Sequence, residues 1–430
     1  MPRFLVATYP SPGHVIPAGA VVDELTRRGH DVRWYTGRRF AEIVAQSKAR
    51  FFAMPEKLDW DYRDFNAAFP GRAELKGLKQ NQFDLAEIFV RPLREHLPVL
   101  KALLVEEPAD VFVSHTAFYG GRWLHELGGP PDATLGDTCL AFPSRDAAPY
   151  GMGLAPRSDW VGHLRNSALN AMARATFLPP VTKAAREVRA GLGLPPVPIR
   201  DLEFGHSRYL HIQLCPRGFE YPRSDLPSHV HFVGAPVPPK PADFTPPSWW
   251  PRLSESRQVV LVTQGTIATE PADLLAQCLE GLAGKDVFVV ATTGGADPAH
   301  VGDAPPNAVV ERFVPYSALL PYVDVMVSNG GFGSVQLAIA HGVPMVVAGT
   351  SEDKKEVTAH VGWSGAGINL RTDRPSPGAI SDAVERVFRE PKYRECTLAL
   401  QAGTADRSPA EAAADLLEEL AITSSDSPRM

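Results

Sequence analysis

The sequence predicts an α/β protein made of two doubly wound parallel sheets facing each other across a cleft. Three observations predict it. Apolar strand-like runs alternate with helix-like segments in both halves, a proline-rich stretch separates the halves, and a glycine-rich turn joins a strand to a helix in the second half. Alternation of this kind implies parallel strands joined by helical crossovers. The length of 430 residues supports two units, because single cores stop growing near ~250–300 residues.

In the first half, RFLVATY reads as a strand, IPAGAVVDELTRRGH as a helix and DVRWYTG as the next strand. The run VFVS after Asp110, followed by GGRWLHELGG, repeats the theme. The second half restarts it with QVVLVTQG, PADLLAQCLEGLAG, DVFVVATT, AVVERFV, VDVMVSNGG, SVQLAIAHG and PMVVAGT. Between them GAPVPPKPADFTPPSWWP, residues 234–251, holds seven prolines in eighteen positions. Proline fixes φ and removes a backbone donor, so this segment is neither a central strand nor a regular helix. The expected domains are therefore 1–215, a linker at 216–251, a second domain at 252–404, and a surface helix with a frayed tail at 405–430. The carboxyl ends of both sets of strands should meet at the cleft, where such folds bind ligands.

Composition removes several function classes. Hydrophobic residues make up 44%, charged residues 21%, and the formal net charge is −6, so no basic field exists to attract nucleic acid. The longest apolar runs fall short of the ~20 residues that span a bilayer, and MPRFLVATYP lacks the layout of a signal peptide, which leads us to expect a cytoplasmic protein without a membrane span. Cys139, Cys215, Cys278 and Cys396 are scattered without CxxC spacing, which supports neither a disulfide framework nor a zinc site; buried thiols are expected.

The turn SNGGFGS, residues 328–334, follows the strand VDVMVS and opens a helix. A strand that ends in glycines and feeds a helix aims unsatisfied N–H groups and the positive end of the helix dipole at one point, which suits a phosphate. Missing Cβ atoms at Gly330, Gly331 and Gly333 allow close approach, and the Ser334 hydroxyl is placed to add a hydrogen bond. Glycines that merely make a tight turn are the plainer alternative.

Upstream of this turn stands RFVPYSALLPYVD and downstream HGVPMVVAGTSEDKKEVTAHVGWSGAGINL. Taken in order, residues 312–370 resemble the nucleotide-sugar signature of the family 1 glycosyltransferases of GT-B fold. Its usual pattern is Trp-Val-Pro-Gln, a leucine pair, His-Gly-Gly-x-Gly-Thr, then an Asp-Gln pair. YPSPGHVIP is similar to the family's Gly-His-x-x-Pro loop, SRDAAPYGMGLAP to its acceptor-side segment, FEYPRSDLPSHVHFVGAP to its interdomain approach and VTQGTIAT to a phosphate loop. Bacterial members acting on aromatic, polyketide or macrolide natural products are the nearest comparison.

The resemblance implies a donor site made of Gly13, Gly265, Thr266, Phe313, Val314, Tyr316, Asn329, Gly331, Gly333, Ser334, Glu352, Asp353 and Lys354. Several of these depart from the pattern. Phe313 stands where a tryptophan stacks on the nucleobase and keeps an aromatic face. Tyr316 replaces a glutamine. Asn329 replaces a histidine that contacts the diphosphate, which keeps a donor but loses a possible positive charge. Asp353 matches the acid that holds sugar hydroxyls, but Lys354 stands in for its glutamine partner.

For the transfer step, His14 is the expected general base, on the loop after the first strand with Pro17 opening the next helix. Imidazole titrates near neutrality and so both accepts and releases a proton each turnover. An aspartate at the end of the strand in ADVFVSHTAF usually orients such a base, and that position holds His115. A neutral imidazole supplies no negative charge, so either the base works with weaker support or another carboxylate such as Asp137 leans in. The implied function is inverting transfer of a hexose from a UDP- or dTDP-sugar to a hydroxyl of a small, largely apolar natural product. Neither metal nor other cofactor is expected, and a monomer or weak homodimer suffices. The alternatives are a silent homologue serving as a nucleotide-sugar-binding or activator subunit, and a nucleotide-sugar epimerase.

Overall fold

The computed structural model describes residues 1–241, 243–265, 274–404 and 407–425. Its first sheet contains β1 (Arg3–Ala7), β2 (Asp31–Thr36), β3 (Arg50–Ala53), β4 (Val111–His115), β5 (Asp132–Gly136), β6 (Leu210–Gln213) and β7 (Val230–Phe232). They lie in the order β3-β2-β1-β4-β5-β6-β7 and every pairing is parallel. A second parallel sheet is built from β8 (Val259–Thr263), β9 (Phe288–Thr292), β10 (Ala308–Glu311), β11 (Val325–Ser328), β12 (Met345–Val347) and β13 (Gly367–Asn369). Its order is β10-β9-β8-β11-β12-β13. Both are Rossmann-like, as expected.

The strands are continuous valine-rich runs, not alternating ones, because helices cover both faces of a parallel sheet. β8, VVLVT, is buried throughout: Leu261 packs on one face with Met326 and Phe332, Val260 and Val262 on the other with Leu275 and Val384. Helix α1 (Pro12–Arg27) turns Val15, Ala18, Val22 and Leu25 toward Phe4 and Val6 of β1, the apolar stripe expected of a helix lying on a sheet. Strand order reverses between β1 and β4 in the first sheet and between β8 and β11 in the second. These switch points are where doubly wound sheets open a ligand crevice beyond their carboxyl ends.

Two expected boundaries change. The segment 216–251 is not all linker, since β7 adds a seventh strand to the first sheet within it. Its far end belongs to the second domain, where Trp249 Nε1 donates to Glu311 Oε1 at 2.6 Å and packs on Phe288. The C-terminal helix, α4 when counted with the two helices α2 (Phe332–Ala340) and α3 (Lys354–Ser364), spans Pro409–Ser425. One face of it, Ala413, Ala414, Leu417 and Ala421, joins the core of the first domain, so this last segment of the chain returns to the first domain. Arg28 fixes it there, bonding Asp415 at 2.6 Å, Glu418 at 2.9 Å and the Glu411 carbonyl at 3.1 Å.

The chain thus crosses between domains twice, after β7 and again on the way to α4. The crossings touch. Gly234 has φ +85°, and a Cβ there would sit 1.7 Å from Thr404 Cγ2 and 3.4 Å from Pro409 Cγ, so only glycine fits. Among the described residues, no helix is long and apolar enough to cross a membrane. Cys139, Cys215 and Cys278 are buried thiols as expected, whereas Cys396 is only partly covered.

Candidate active site

Proline opens α1 at Pro12, where its missing N–H would have had no helical partner. His14 therefore stands in the first helical turn, not in a loop, and Pro17 lies inside the helix. The His14 Nδ1 is 2.6 Å from Asp137 Oδ2, and the ring stacks on His115 with centroids 3.9 Å apart. Asp137 follows β5 directly. The β4–β5 register pairs His115 with Leu135, so Asp137 overhangs the end of β4 and supplies there the carboxylate that β4 itself lacks.

His115 is buried and held by its surroundings. Its Nε2 accepts the Tyr9 N–H at 3.2 Å, and its Nδ1 lies 3.4 Å from Asp137 Oδ2. Burial, helped by His14, brings its pKa down to about 4, so it is neutral at physiological pH; its Nδ1, beside the carboxylate, also receives the Ala117 N–H at 3.3 Å. Burial alone would push the Asp137 carboxyl up, but the fields and hydrogen bonds of His14 and His115 outweigh it and hold it well below the usual range. Asp137 Oδ1 also takes the Thr116 N–H at 3.3 Å. An ionised Asp137 keeps the His14 proton on Nδ1 and leaves Nε2 as a lone pair on a ring that is 22% exposed.

Across the crevice, β11 runs into Asn329, Gly330 and Gly331 before α2 begins. Gly330 has φ +81°, and a Cβ there would meet Thr358 Cγ2 at 2.3 Å. Gly330→Ala is expected to lower stability by about 2–4 kcal/mol through strain and overpacking together, read as a fall in the urea midpoint. An unchanged midpoint would mean that Thr358 yields without cost. Gly331 and Gly333 differ: among the described residues, a Cβ at Gly331 would come no nearer than 3.8 Å to Ser334 Oγ, and one at Gly333 would meet nothing within 4 Å. Their own neighbours do not require glycine. What they leave open is space at the N-terminus of α2, where the first N–H groups lack helical partners.

Other donor-site candidates divide. Ser334 Oγ donates to the Gly331 carbonyl at 2.9 Å, so its hydroxyl caps the turn instead of facing outward. The Asn329 amide donates to the Gln264 carbonyl and pins the end of β8 to the end of β11. Gly265 lies against that amide, while Thr266 lies outside the described residues. Phe313 is 68% exposed, an open aromatic face, and Val314 beside it is core. Tyr316 is half-buried, and its hydroxyl donates to Thr263 Oγ1 at 2.8 Å, which braces the end of β8. Among the described residues, nothing lies within 4 Å of a Cβ built on Gly13.

Glu352 and Lys354 pair with each other beside Asp353. Burial would lower the Lys354 ammonium, but Glu352 and Asp353 raise it overall, whereas burial pushes the Asp353 carboxyl up. Asp353 Oδ2 accepts the Thr138 hydroxyl at 3.1 Å, and Thr138 also meets the Tyr150 hydroxyl at 3.0 Å. Asp137 and Thr138 are adjacent, so one loop of the first domain orients the imidazole and touches the acid of the second. A further tie is Glu356, whose Oε2 accepts the N–H of Gly151 and of Gly153, both at 2.9 Å. Neither Thr138 nor Glu356 carries a sequence signal, because each acts across the domain seam.

Phe118 packs on Tyr9 and Tyr119 stacks on Phe204, so both aromatics after β4 are core. Asp146 has a turn-holding role, accepting Ser224 N–H and Oγ–H at 2.6 Å each, and meets His163 Nε2 at 2.9 Å.

Residues 276–420 match the family model described as Erythromycin biosynthesis protein CIII-like, C-terminal domain. The chain is 42% identical over 419 residues to 4'-demethylrebeccamycin synthase of Lentzea aerocolonigenes, covering 97% of this chain and 99% of that one. It is 33% identical over 441 residues to UDP-glycosyltransferase 2 of Phaeomoniella chlamydospora, covering 98% and 96%. Among solved structures it is similar to CalG4, the calicheamicin glycosyltransferase, with a TM-score of 0.76 at 23% identity and 98% of each chain covered. Full-length similarity at this level, on two facing Rossmann-like domains, places the chain in the family 1 glycosyltransferases of GT-B fold, enzymes that use a nucleotide sugar as donor.

Proposed function

We propose that the enzyme transfers a hexose from a UDP- or dTDP-sugar to a hydroxyl of a small, largely apolar natural product of aromatic, polyketide or macrolide type, inverting the anomeric configuration. The 2.6 Å bond between His14 and Asp137 carries this reading. With Nδ1–H committed to the carboxylate, His14 Nε2 takes the proton of the acceptor hydroxyl. The freed oxygen attacks the anomeric carbon from the face opposite the diphosphate. As the new C–O bond forms, the bond to the diphosphate breaks, and its electron pair leaves with the phosphate oxygen. Backbone N–H groups at the start of α2 receive that charge, which is where fixed dipoles lower a barrier most. Phe313 offers a stacking face for the nucleobase.

Proton NMR of the product tests the stereochemistry through the coupling at the anomeric proton. A β-linked product from an α-configured donor is expected, and a retained configuration would overturn the single-displacement scheme. Asp353 is assigned to the sugar hydroxyls. Asp353→Ala is expected to weaken binding of the nucleotide sugar about 10- to 100-fold, the loss of a charge-assisted hydrogen bond, with little change for the bare nucleoside diphosphate. Titration calorimetry with both ligands separates the two, and equal losses would remove the sugar-reading role.

A further inference from the structure

Away from the His14 group, a second set of metal-ligating side chains is brought together at the domain seam. Cys139, Glu220 and His360 are all buried, and one donor atom from each lies within 4.8 Å of the others. Cys139 follows β5, Glu220 precedes β7, and His360 projects from α3 of the second domain. We propose that these three residues form a divalent-metal site of zinc type that staples the two domains together.

The outer contacts of each residue fit that use. His360 Nδ1 donates to the Glu356 carbonyl at 2.9 Å, which leaves Nε2 as the ligating lone pair, the usual arrangement of a metal-bound histidine. Glu220 Oε1 takes the Leu140 N–H at 2.8 Å and leaves Oε2 for the site. Among the described residues, neither Glu220 Oε2 nor His360 Nε2 makes a hydrogen bond, although both are buried. They face each other at 3.4 Å, close to the ~3.3 Å between two ligands on a tetrahedral zinc with bonds of about 2.0–2.1 Å. The sulfur needs to draw in by about 1 Å at most to reach its own bond length. Charge balances as well: a thiolate and a carboxylate neutralise a divalent ion, and the imidazole adds none, so the buried group as a whole carries no net charge. Tyr221 stacks on the His360 ring at 3.6 Å and fixes its plane. The three positions are 81 and 140 residues apart in the chain, which is why cysteine spacing gives no hint of them.

Cobalt(II) titration of the full-length, chelator-treated protein tests this, because a thiolate ligand gives a sulfur-to-cobalt charge-transfer band. One ion per chain is expected to saturate that band. Zinc should abolish it by displacement and raise the melting temperature, and binding should release a proton, since burial keeps the Cys139 thiol protonated. Cys139→Ser should lose the band, and Glu220→Gln and His360→Gln should each weaken binding at least ~10-fold. Failure of the wild-type protein to bind cobalt would overturn the proposal and leave Glu220 and His360 as an ion pair. So would binding without a thiolate band, as the His14, His115 and Asp137 group would produce it, or an undiminished band in Cys139→Ser.

Discussion

His14→Ala is expected to lower turnover by about 10²–10⁴-fold, the range that a positioned general base contributes, while the nucleotide sugar binds as before. The separation follows from where His14 stands. Its ring contacts are Asp137 and His115 of the first domain, whereas the glycine-rich turn, Phe313 and Asp353 belong to the second. Removing the ring takes away the proton acceptor and nothing from the opposite wall. Turnover measured beside donor affinity by thermal shift checks both halves, since a ligand that binds only the folded state raises its stability. Transfer at the wild-type rate would end the base assignment, and loss of donor binding in proportion would make His14 a donor ligand.

Asp137→Asn should be nearly as damaging, up to about 10⁴-fold in turnover, by analogy with the loss of the orienting carboxylate in a catalytic triad. The amide has the same shape, but it can present an N–H to His14 Nδ1, and the ring then carries its proton on Nε2, the atom that must accept one. The variant also leaves His115 without its negative partner. A rescue sharpens the test. Adding His115→Asp to Asp137→Asn returns a carboxylate to the end of β4 and is expected to recover part of the lost rate. Full activity in Asp137→Asn alone would show that His14 needs no orienting charge.

Much of this was legible in the sequence for a simple physical reason: parallel strands covered on both faces must be continuous apolar runs, and such runs alternating with helices have few possible folds. The glycine turn was legible because a strand feeding a helix has a fixed direction. What escaped depends on tertiary register. The sequence shows that His115 occupies the expected acidic position and names Asp137 as a possible substitute, but the pairing of β4 with β5 decides that Asp137 overhangs it. Pro17 looked like a helix start because Pro12 sits five residues past β1 in a segment that reads as loop; proline in a second turn is tolerated there. Ser334 and Tyr316 have the right residue types for a ligand, yet their hydroxyls are consumed by the Gly331 carbonyl and by Thr263. The apolar stripe of α4 announced a helix but could not announce which domain it would join.

Gly234 and Thr404 meet where both crossings pass between the lobes. Two tethers anchored at one place act as a pin: they forbid sliding and leave swinging about that place as the available movement. Any opening of the crevice is then smallest beside the pin and largest at the lip opposite it.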